Sequence, residues 1–238
     1  AEFTPLFNGK NLEGWHNPYD WGQAEVVDGE VHLHAPKGKK YFLVTDETFA
    51  DFEFQAEVKL PDSEANSGFM FRCNVKPNKV SGYQAEVDPS DRAWSGGLYD
   101  EGRRGWLNPL KNQPRKQNAW RHGQWNHYRI KCEGDRLRIW VNGIKTTDYR
   151  DPVDVQGHLA LQHHGEKGKT YRFRHIQVKR LGRHAWRPLF NGKNLDGWQA
   201  RGDGQWGVES GRLVGTLSSE NANYGMLISN QTFDDFTA

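Results

Sequence analysis

Three polar side chains suited to acid–base chemistry occupy every second position of one short stretch. Gln84, Glu86 and Asp88 alternate with apolar residues in the sequence GYQAEVD, which covers residues 82–88. Successive side chains of a β-strand point to opposite faces, so the three polar groups share one face. Carboxylates are costly to remove from water, and this face therefore borders either open solvent or a polar cleft. In a cleft, Glu86 and Asp88 are candidate catalytic residues, and Gln84 is a candidate substrate-binding residue.

Two other predicted strands carry polar groups that could join this face. The strand at residues 157–165 turns Gln162 and His164 away from the side that its core leucines occupy. The strand at residues 68–72 turns Arg72 away from its two phenylalanines. An imidazole titrates near neutral pH, so His164 suits a general acid. The guanidinium of Arg72 suits a developing oxyanion, provided that the three strands are near neighbours in one sheet.

Tryptophan is unusually frequent, with 10 residues among 238. Aromatic residues favour strands, so part of this count reflects a β-rich core. Trp94, Trp106 and Trp120, however, lie in predicted loops beside glycine and arginine. Because the apolar face of a pyranose stacks on an indole ring, we expect at least one of them to contact sugar. Residues 100–123 show no clear periodicity and are read as either a cleft wall or a solvated basic loop.

The elements that must position these groups are short antiparallel strands. Apolar and polar residues alternate along residues 52–60, and residues 128–141 read as a hairpin, whereas helical periodicity is absent. Many short strands with few helices predict an all-β sandwich of antiparallel sheets or a jelly roll.

Composition excludes several classes of protein. The chain has 32 basic and 30 acidic residues, a balance that argues against nucleic-acid binding. No apolar run approaches the roughly 20 residues of a membrane-spanning helix. Cys73 and Cys132 leave a disulfide and two buried thiols equally open. The first residues do not read as a signal peptide, so the sequence fits either a mature exported protein or an intracellular one.

An internal repeat sets the predicted domain organisation. Residues 5–15 recur as residues 188–198 with one difference, Glu13 against Asp196. The likeness continues to the end of the sequence but includes no second copy of residues 82–88. The prediction is one complete domain at residues 1–182, followed at 183–238 by the opening strands of a truncated second copy. That copy could pack on the first domain, be loosely held, or support self-association.

Several motifs resemble those of a known bacterial family, the 3-keto-disaccharide hydrolase domain. The motifs are Leu-Phe-Asn-Gly-Lys-Asn-Leu-x-Gly-Trp at 6–15 and 189–198, Asn66-Ser67-Gly68 with Arg72, Gly82-Tyr83, Gly97-Leu98-Tyr99, Gly123-Gln124-Trp125-Asn126, Trp140-Val141-Asn142-Gly143 and residues 157–165. The resemblance implies a concanavalin A-like jelly roll. One departure stands out, because many members read Gly-Tyr-Glu-x-Gln where this chain has the acid and the amide exchanged. Either Glu86 or Asp88 could therefore be the principal base.

The resemblance implies cleavage of glycosides that carry a ketone at carbon 3 of the sugar. That ketone acidifies the proton on carbon 2, so a general base can remove it, and the resulting enolate expels the aglycone before water adds. The implied catalytic residues are Glu86, Asp88 and His164. The implied substrate-binding residues are Arg72, Gln84, Trp94, Tyr99, Trp106 and Gln162. The resemblance implies no certain cofactor, and either Arg72 or a bound divalent metal could stabilise the oxyanion. A periplasmic or extracellular location is expected, with any leader already removed.

Two other functions stay open on the sequence alone. Glu86 and Asp88 could act as the carboxylate pair of an ordinary glycoside hydrolase. A non-catalytic carbohydrate-binding module on the same scaffold is also compatible, because a fold does not determine a function. A purely structural repeat would leave the polar strand face unexplained.

Overall fold

The computed structural model describes residues 2–182, 189–217 and 223–233. The chain divides into two compact units, residues 1–184 and residues 185–238. Within the described residues, no helix is long and apolar enough to cross a membrane.

The first unit consists of 15 short strands and one helical turn. In chain order they are β1 (Thr4–Pro5), β2 (Trp15–His16), β3 (Gln23–Val27), β4 (Glu30–His34), β5 (Tyr41–Phe49), β6 (Asp51–Lys59), β7 (Ser67–Lys76), β8 (Lys79–Val87), β9 (Leu98–Glu101), β10 (Gly105–Asn108), α1 (Pro114–Gln117), β11 (Asn126–Glu133), β12 (Arg136–Val141), β13 (Ile144–Arg150), β14 (Gly157–His163) and β15 (Tyr171–Gly182).

These strands form two antiparallel sheets. One has the order β13-β12-β11-β6-β15-β4-β3, with β1 paired to β15, and the other has the order β10-β9-β8-β7-β14-β5-β2. The sheets pack face to face, because one apolar core contains side chains of both. Phe69 of the second sheet contacts Phe54 and Phe173 of the first, with ring centroids 5.6 and 5.7 Å apart. The predicted all-β sandwich is confirmed.

The alternation along β8 places its side chains as the sequence predicts. Tyr83, Ala85 and Val87 are fully buried in the core between the sheets. Burial of each large apolar side chain contributes roughly 1.5–3 kcal/mol, which fixes the face that the strand turns inward. Gln84 and Glu86 consequently project from the opposite face of the seven-stranded sheet.

That opposite face is divided into an apolar part and a polar part. The apolar part comprises Phe42, Val44, Met70, Cys73, Val80 and Ala160. Tyr19 covers it, because its ring lies 6.2 Å from that of Phe42 and its hydroxyl accepts a hydrogen bond from the Val80 N–H. The polar part is left to line a cavity.

Residues 100–123 are more ordered than their lack of periodicity suggests. They contain the hairpin partner β10 and the helical turn α1. Trp120 belongs to the core and is buried, so of the three loop tryptophans it is not one that a sugar can reach. The sequence signal failed here because the chain returns inward after α1, and that return leaves no periodic pattern.

Cys73 and Cys132 are both free and buried. Burial raises the pKa of both thiols, and that of Cys132 reaches about 12. Both side chains therefore act as apolar packing groups.

Among its described residues, the second unit contains two pairs of antiparallel strands. Its strands are β16 (Trp198–Gly202), β17 (Gly204–Glu209), β18 (Arg212–Leu217) and β19 (Gly225–Ser229). Strand β16 pairs with β19 and β17 pairs with β18, the same pattern as β2 with β5 and β3 with β4. The repeated turn is also the same, since Asn191 accepts backbone hydrogen bonds as Asn8 does.

Candidate functional site

A cavity of about 450 Å³ opens over the polar part of the seven-stranded sheet. Strands β8, β9, β10 and β14 contribute to its wall, together with the loops that precede β5 and β7 and those that follow β8 and β14. Its lining residues are Lys40, Ser63, Glu64, Ala65, Asn66, Gln84, Glu86, Asp88, Ser90, Arg92, Tyr99, Glu101, Trp106, Gln162, His164 and Glu166. Seven of the nine residues that the sequence selects are among them.

Glu86 is a deeply buried carboxylate of this wall, with only 4% of its surface exposed. Its Oε1 accepts a hydrogen bond of 2.8 Å from Asn66 Nδ2, and its Oε2 accepts one of 2.8 Å from Gln84 Nε2. Burial raises the pKa of Glu86, the two hydrogen bonds offset part of that shift, and the nearby charge of Asp88 adds to it. A carboxyl group with a raised pKa is a stronger base than an ordinary carboxylate, which suits it to accept a proton and return it.

Two buried amide oxygens in the same wall have no hydrogen-bond partner in the part of the chain that the structure describes. They are Gln84 Oε1 and Gln162 Oε1. An unsatisfied buried carbonyl costs about 1–3 kcal/mol, so such groups usually have a partner supplied by water or a ligand. Hydroxyl groups of a sugar are suitable donors. The two glutamines therefore mark positions where a polyhydroxylated ligand fits.

Gly68 allows Gln84 to lie across the neighbouring strand. It pairs with Glu86 in the β7–β8 ladder, and a Cβ atom added there would lie 2.4 Å from Gln84 Cδ. Any side chain at position 68 would displace the amide. The short motif Asn66-Ser67-Gly68 thus serves the site twice, through the hydrogen bond of Asn66 to Glu86 and through the space above Gly68.

Asp88 lines the cavity, but its carboxylate is already used by the loop that follows β8. Ser90 Oγ donates to its Oδ1 at 2.6 Å, and Arg92 Nε donates to its Oδ2 at 2.7 Å. The N–H groups of Ser90 and Trp94 add two longer bonds. With four donors bound, Asp88 fixes the loop, and its charge acts on Glu86 from the side.

His164 stands at the mouth of the cavity and is half exposed. Its Nδ1 lies 2.9 Å from Glu166 Oε1, and the other carboxylate oxygen of Glu166 accepts a hydrogen bond from the Tyr171 hydroxyl. This contact fixes the orientation of the imidazole ring through Nδ1. The other ring nitrogen, Nε2, remains available to contact a ligand.

Aromatic rings form one side of the cavity. Trp106 and Tyr99 line it, with ring centroids 5.1 Å apart. Trp94 does not line it but packs edge-on against Trp106 at 4.8 Å. Arg92 lies over both indole rings, at 4.9 Å from Trp94 and 5.1 Å from Trp106. The predicted role of Trp94 as a direct substrate contact is therefore replaced by support of Trp106.

Arg72 does not reach the cavity, which corrects its predicted role as a ligand of substrate or oxyanion. The β7–β8 register shifts between Phe71 and Asn74, and Arg72 has φ 47, so a β-bulge breaks the alternation at this residue. Its guanidinium is fully buried and donates to the carbonyl oxygens of Ala50, Gly134 and Asp154 and to Asp51 Oδ1. It holds together the loops at one end of the sandwich.

The sequence prediction omitted several residues of the cavity wall. Arg92 has its Nη2 3.6 Å from Glu86 Oε1, and Lys40 pairs with Glu101 across the opening. Asn66 could have been found from its family motif, and Arg92 from its position four residues after Asp88. Lys40 and Glu101 carry no such signal, because they are far apart in sequence.

The cavity does not provide a set of metal ligands. Within the described ranges, one group of three His, Cys, Asp or Glu side chains brings its ligand atoms within 4.8 Å of one another, and it lies outside the cavity. The carboxylate oxygens of Glu86 and Asp88 instead accept hydrogen bonds from Asn66, Gln84, Ser90 and Arg92. No catalytic step is therefore assigned to a metal here.

The fold is shared with proteins that act on or bind carbohydrate. A Parabacteroides distasonis protein provisionally called a glycosyl hydrolase is 21% identical, with a TM-score of 0.55, over 76% of this chain and 100% of that chain. The carbohydrate binding module CBM66 from Bacillus subtilis is 18% identical, with a TM-score of 0.51, over 70% of this chain and 95% of that chain. A Bacillus subtilis protein of unknown function with a galectin-like fold is 12% identical, with a TM-score of 0.57, over 77% and 97%.

At these identities the likeness is one of fold alone, and the fold is the concanavalin A-like antiparallel sandwich that the motifs imply. The chain belongs to the family of 3-keto-alpha-glucoside-1,2-lyase-like domains, whose sequence model matches residues 2–179 and again residues 185–238. The family predicted from the motifs is thereby confirmed. Membership points to a glycosyl-hydrolase-like or carbohydrate-binding function. No curated protein matches the chain in sequence.

Proposed function

We propose that the protein cleaves 3-keto-glycosides by removing the proton on carbon 2, eliminating the aglycone and adding water. The observation that carries this proposal is the environment of Glu86, a buried carboxyl with a raised pKa beside two amide oxygens that have no partner among the described residues. Such a group is suited to a weakly acidic carbon–hydrogen bond, because its basicity is greater than that of an ordinary carboxylate.

The reaction proceeds in three steps, which are proton removal, elimination and hydration. Glu86 takes the proton from carbon 2, and the electron pair moves into an enolate whose oxygen is the former ketone. The enolate then re-forms the ketone and a double bond between carbons 1 and 2 while the bond to the aglycone breaks. Finally a water molecule adds its hydroxyl to carbon 1, and carbon 2 regains a proton. The sum is hydrolysis of the glycoside.

The other residues of the wall have supporting roles in this proposal. His164, oriented by Glu166, protonates the departing oxygen, since its Nε2 is free to face the opening. Arg92 takes the role first expected of Arg72, because its guanidinium lies beside Glu86 and can stabilise the enolate oxygen. Gln84 and Gln162 accept hydrogen bonds from sugar hydroxyls, and Trp106 with Tyr99 offers a stacking surface.

Replacement of Glu86 tests the proposal directly. Glu86→Gln keeps the shape of the side chain and removes the proton acceptor, so turnover of a 3-keto-glucoside should fall by about 10²–10⁴-fold while binding persists. The matched control is Glu64→Gln, an exposed carboxylate of the same cavity, which should retain turnover. Products formed in deuterated water should carry deuterium at carbon 2. If they carry none while Glu86→Gln is inactive, ordinary two-carboxylate hydrolysis is the better account.

Non-catalytic carbohydrate binding is the second candidate, and the aromatic side of the cavity favours it. Trp106 is held edge-on between Trp94 and Tyr99, as a rigid sugar-binding ring would be. This function predicts that no keto-glycoside is turned over while a sugar still changes the tryptophan fluorescence. Trp106→Ala should then weaken binding, whereas Trp140→Ala, a tryptophan that contacts Arg129 on the other sheet, should not. Turnover of a keto-glycoside by the parent protein would rule the candidate out.

A periplasmic or extracellular location completes the proposal, because glycosides are supplied to bacteria from outside. Fractionation of cells that express the full-length gene, followed by detection of the protein in each fraction, is the direct measurement.

A further inference from the structure

A second group of chemically capable side chains lies outside the cavity, on the hairpin formed by β3 and β4. Glu25, His32 and His34 each offer one ligand atom, and these atoms all lie within 4.8 Å of one another. Glu25 is the direct ladder partner of His32, and His34 pairs with Gln23 two positions along. The three side chains thus occupy adjacent positions on one face of the hairpin.

The packing of β4 forces this arrangement. Val31 and Leu33 are fully buried in the core, so the alternation of the strand turns His32 and His34 to the outer face. A shift of one residue in register would expose both apolar side chains, and the register is therefore strongly determined. The positions of the two imidazoles consequently follow from the core and do not depend on a mobile loop.

The histidines are also held by groups outside the triplet. His32 Nε2 lies 2.9 Å from Glu30 Oε2, and Arg172 grips both oxygens of Glu30 at 2.8 Å. His34 Nδ1 contacts Thr170 Oγ1 outside the triplet, whereas its Nε2 contacts Glu25 Oε1 within it. An outer carboxylate such as Glu30 orients the imidazole of a metal ligand.

We propose that Glu25, His32 and His34 bind a divalent transition-metal ion of the zinc class. Two imidazole nitrogens and one carboxylate oxygen suit zinc, nickel or copper, whereas magnesium and calcium prefer oxygen ligands throughout. Ligands of a tetrahedral zinc ion at about 2.0–2.2 Å are roughly 3.3 Å apart, so the triplet closes by about 1.5 Å at most on binding. Glu25 is free to adjust to the ion, because 59% of its side chain is exposed.

Water completes the coordination. A second cavity, of about 340 Å³, is lined by Glu25 and His34 and opens beside the triplet. The remaining positions of the ion face this space. The ion joins β3 to β4 across the ladder, and β3 is the edge strand of the eight-stranded sheet. A ligand that binds only the folded state stabilises that state by mass action, so a bound ion would stabilise the pairing of β3 with β4 at this edge of the sheet.

The second unit provides an internal comparison. Its hairpin β17–β18 repeats the same register, with Gly207 opposite Val214 where the first unit has Glu25 opposite His32. Thr216 stands at the position that corresponds to His34. None of these three residues is a strong ligand for zinc. The triplet is therefore a property of the first hairpin and is not required by the repeated fold.

Titration of the metal-free protein with zinc tests this proposal without reference to turnover. Calorimetry should give one site, and saturating zinc should raise the melting temperature, whereas magnesium should do neither. His32→Gln and His34→Gln should each weaken zinc binding by at least about tenfold, and Glu25→Gln should weaken it as well. The matched control is His122→Gln, an exposed histidine outside the triplet, which should leave zinc binding unchanged.

Two outcomes would overturn the proposal. One is an equal zinc response in the parent protein and in the double variant His32→Gln/His34→Gln. The other is the absence of any site in the parent. If the double variant does not fold, Glu25→Gln decides the matter, because that residue is largely exposed and its replacement leaves the core intact. Turnover by the metal-free parent is a separate measurement that tests the proposed function alone.

Discussion

Glu86 is surrounded by nitrogen donors on one side and by the Asp88 charge on the other. Asn66 and Gln84 each donate to one oxygen, yet burial is the largest effect and raises the pKa of the carboxyl. Burial disfavours the charged form more than two hydrogen bonds favour it. At the scale of single residues, the character of this site thus comes from exclusion of water around one side chain.

The raised pKa predicts the pH dependence of turnover. A base accepts a proton only when ionised, so kcat/KM should rise with pH through the raised pKa, above the ordinary glutamate value of about 4.3. Rates measured at pH values from about 4 to 8 check this expectation, because folded proteins are stable over roughly this pH range. An acid limb at the ordinary glutamate value would contradict the assignment of Glu86 as base.

Stability gives an independent readout of the same shift. A carboxyl whose pKa is higher in the folded state contributes stability below its unfolded pKa, and that contribution is lost as pH rises through the folded pKa. Glu86→Gln cannot titrate. The melting temperature of the variant, relative to the parent, should therefore increase from low to neutral pH. A difference that stays constant across this range would show that the pKa of Glu86 is ordinary.

Gly68 is predicted to act through Gln84. Gly68→Ala places a methyl group 2.4 Å from Gln84 Cδ, so the amide must move and KM for the keto-glycoside should rise severalfold. A double-mutant cycle distinguishes this from a general packing defect. Gly68→Ala should add little to Gln84→Ala if both remove the same contact, whereas independent effects would add.

At the scale of elements, the bulge in β7 separates a structural arginine from the functional face. Arg72 donates to three backbone carbonyl oxygens and to Asp51, and all of these acceptors would lose their partner together. Arg72→Met should lower the free energy of unfolding by about 3–5 kcal/mol, since removal of one member of a buried pair leaves the other uncompensated.

Denaturant titration measures this loss, and Arg115→Met, at an exposed position of α1, is the matched control. The control should change the midpoint little. Turnover of Arg72→Met, measured at a temperature where it remains folded, should resemble that of the parent. A specific loss of substrate binding without loss of stability would return Arg72 to the site.

At the scale of the whole molecule, the first unit contains all that the cavity requires. Both of its sheets are complete within residues 4–182, and the cavity lining runs from Lys40 to Glu166. A variant that ends after Gly182 should therefore melt cooperatively and turn over substrate as the parent does. Scanning calorimetry and steady-state rates check both expectations. Loss of either would mean that residues after 182 contribute to the first unit.

Corresponding residues of the two units differ in how far they are buried. Strand β19 corresponds to β5, and its Met226 and Ile228 correspond to Phe42 and Val44. Phe42 and Val44 are fully buried, whereas Met226 is 50% and Ile228 is 45% exposed. In the first unit β14 pairs with β5, and no strand among the described residues does so for β19. The predicted incompleteness of the second copy stays a prediction about the protein as a whole.

The sequence by itself determined which side of each regular strand faces the core, because alternation with a period of two is a local property. It identified the family from contiguous motifs and selected Gln84, Glu86, Gln162 and His164, all of which line one cavity. The tertiary structure decided what depends on distant neighbours. The bulge withdrew Arg72, the core took in Trp120, and cross-strand register assembled Glu25 with His32 and His34. The raised pKa of Glu86 also depends on the tertiary structure. Desolvation is caused by all the residues packed around a charge, and these come from distant parts of the chain.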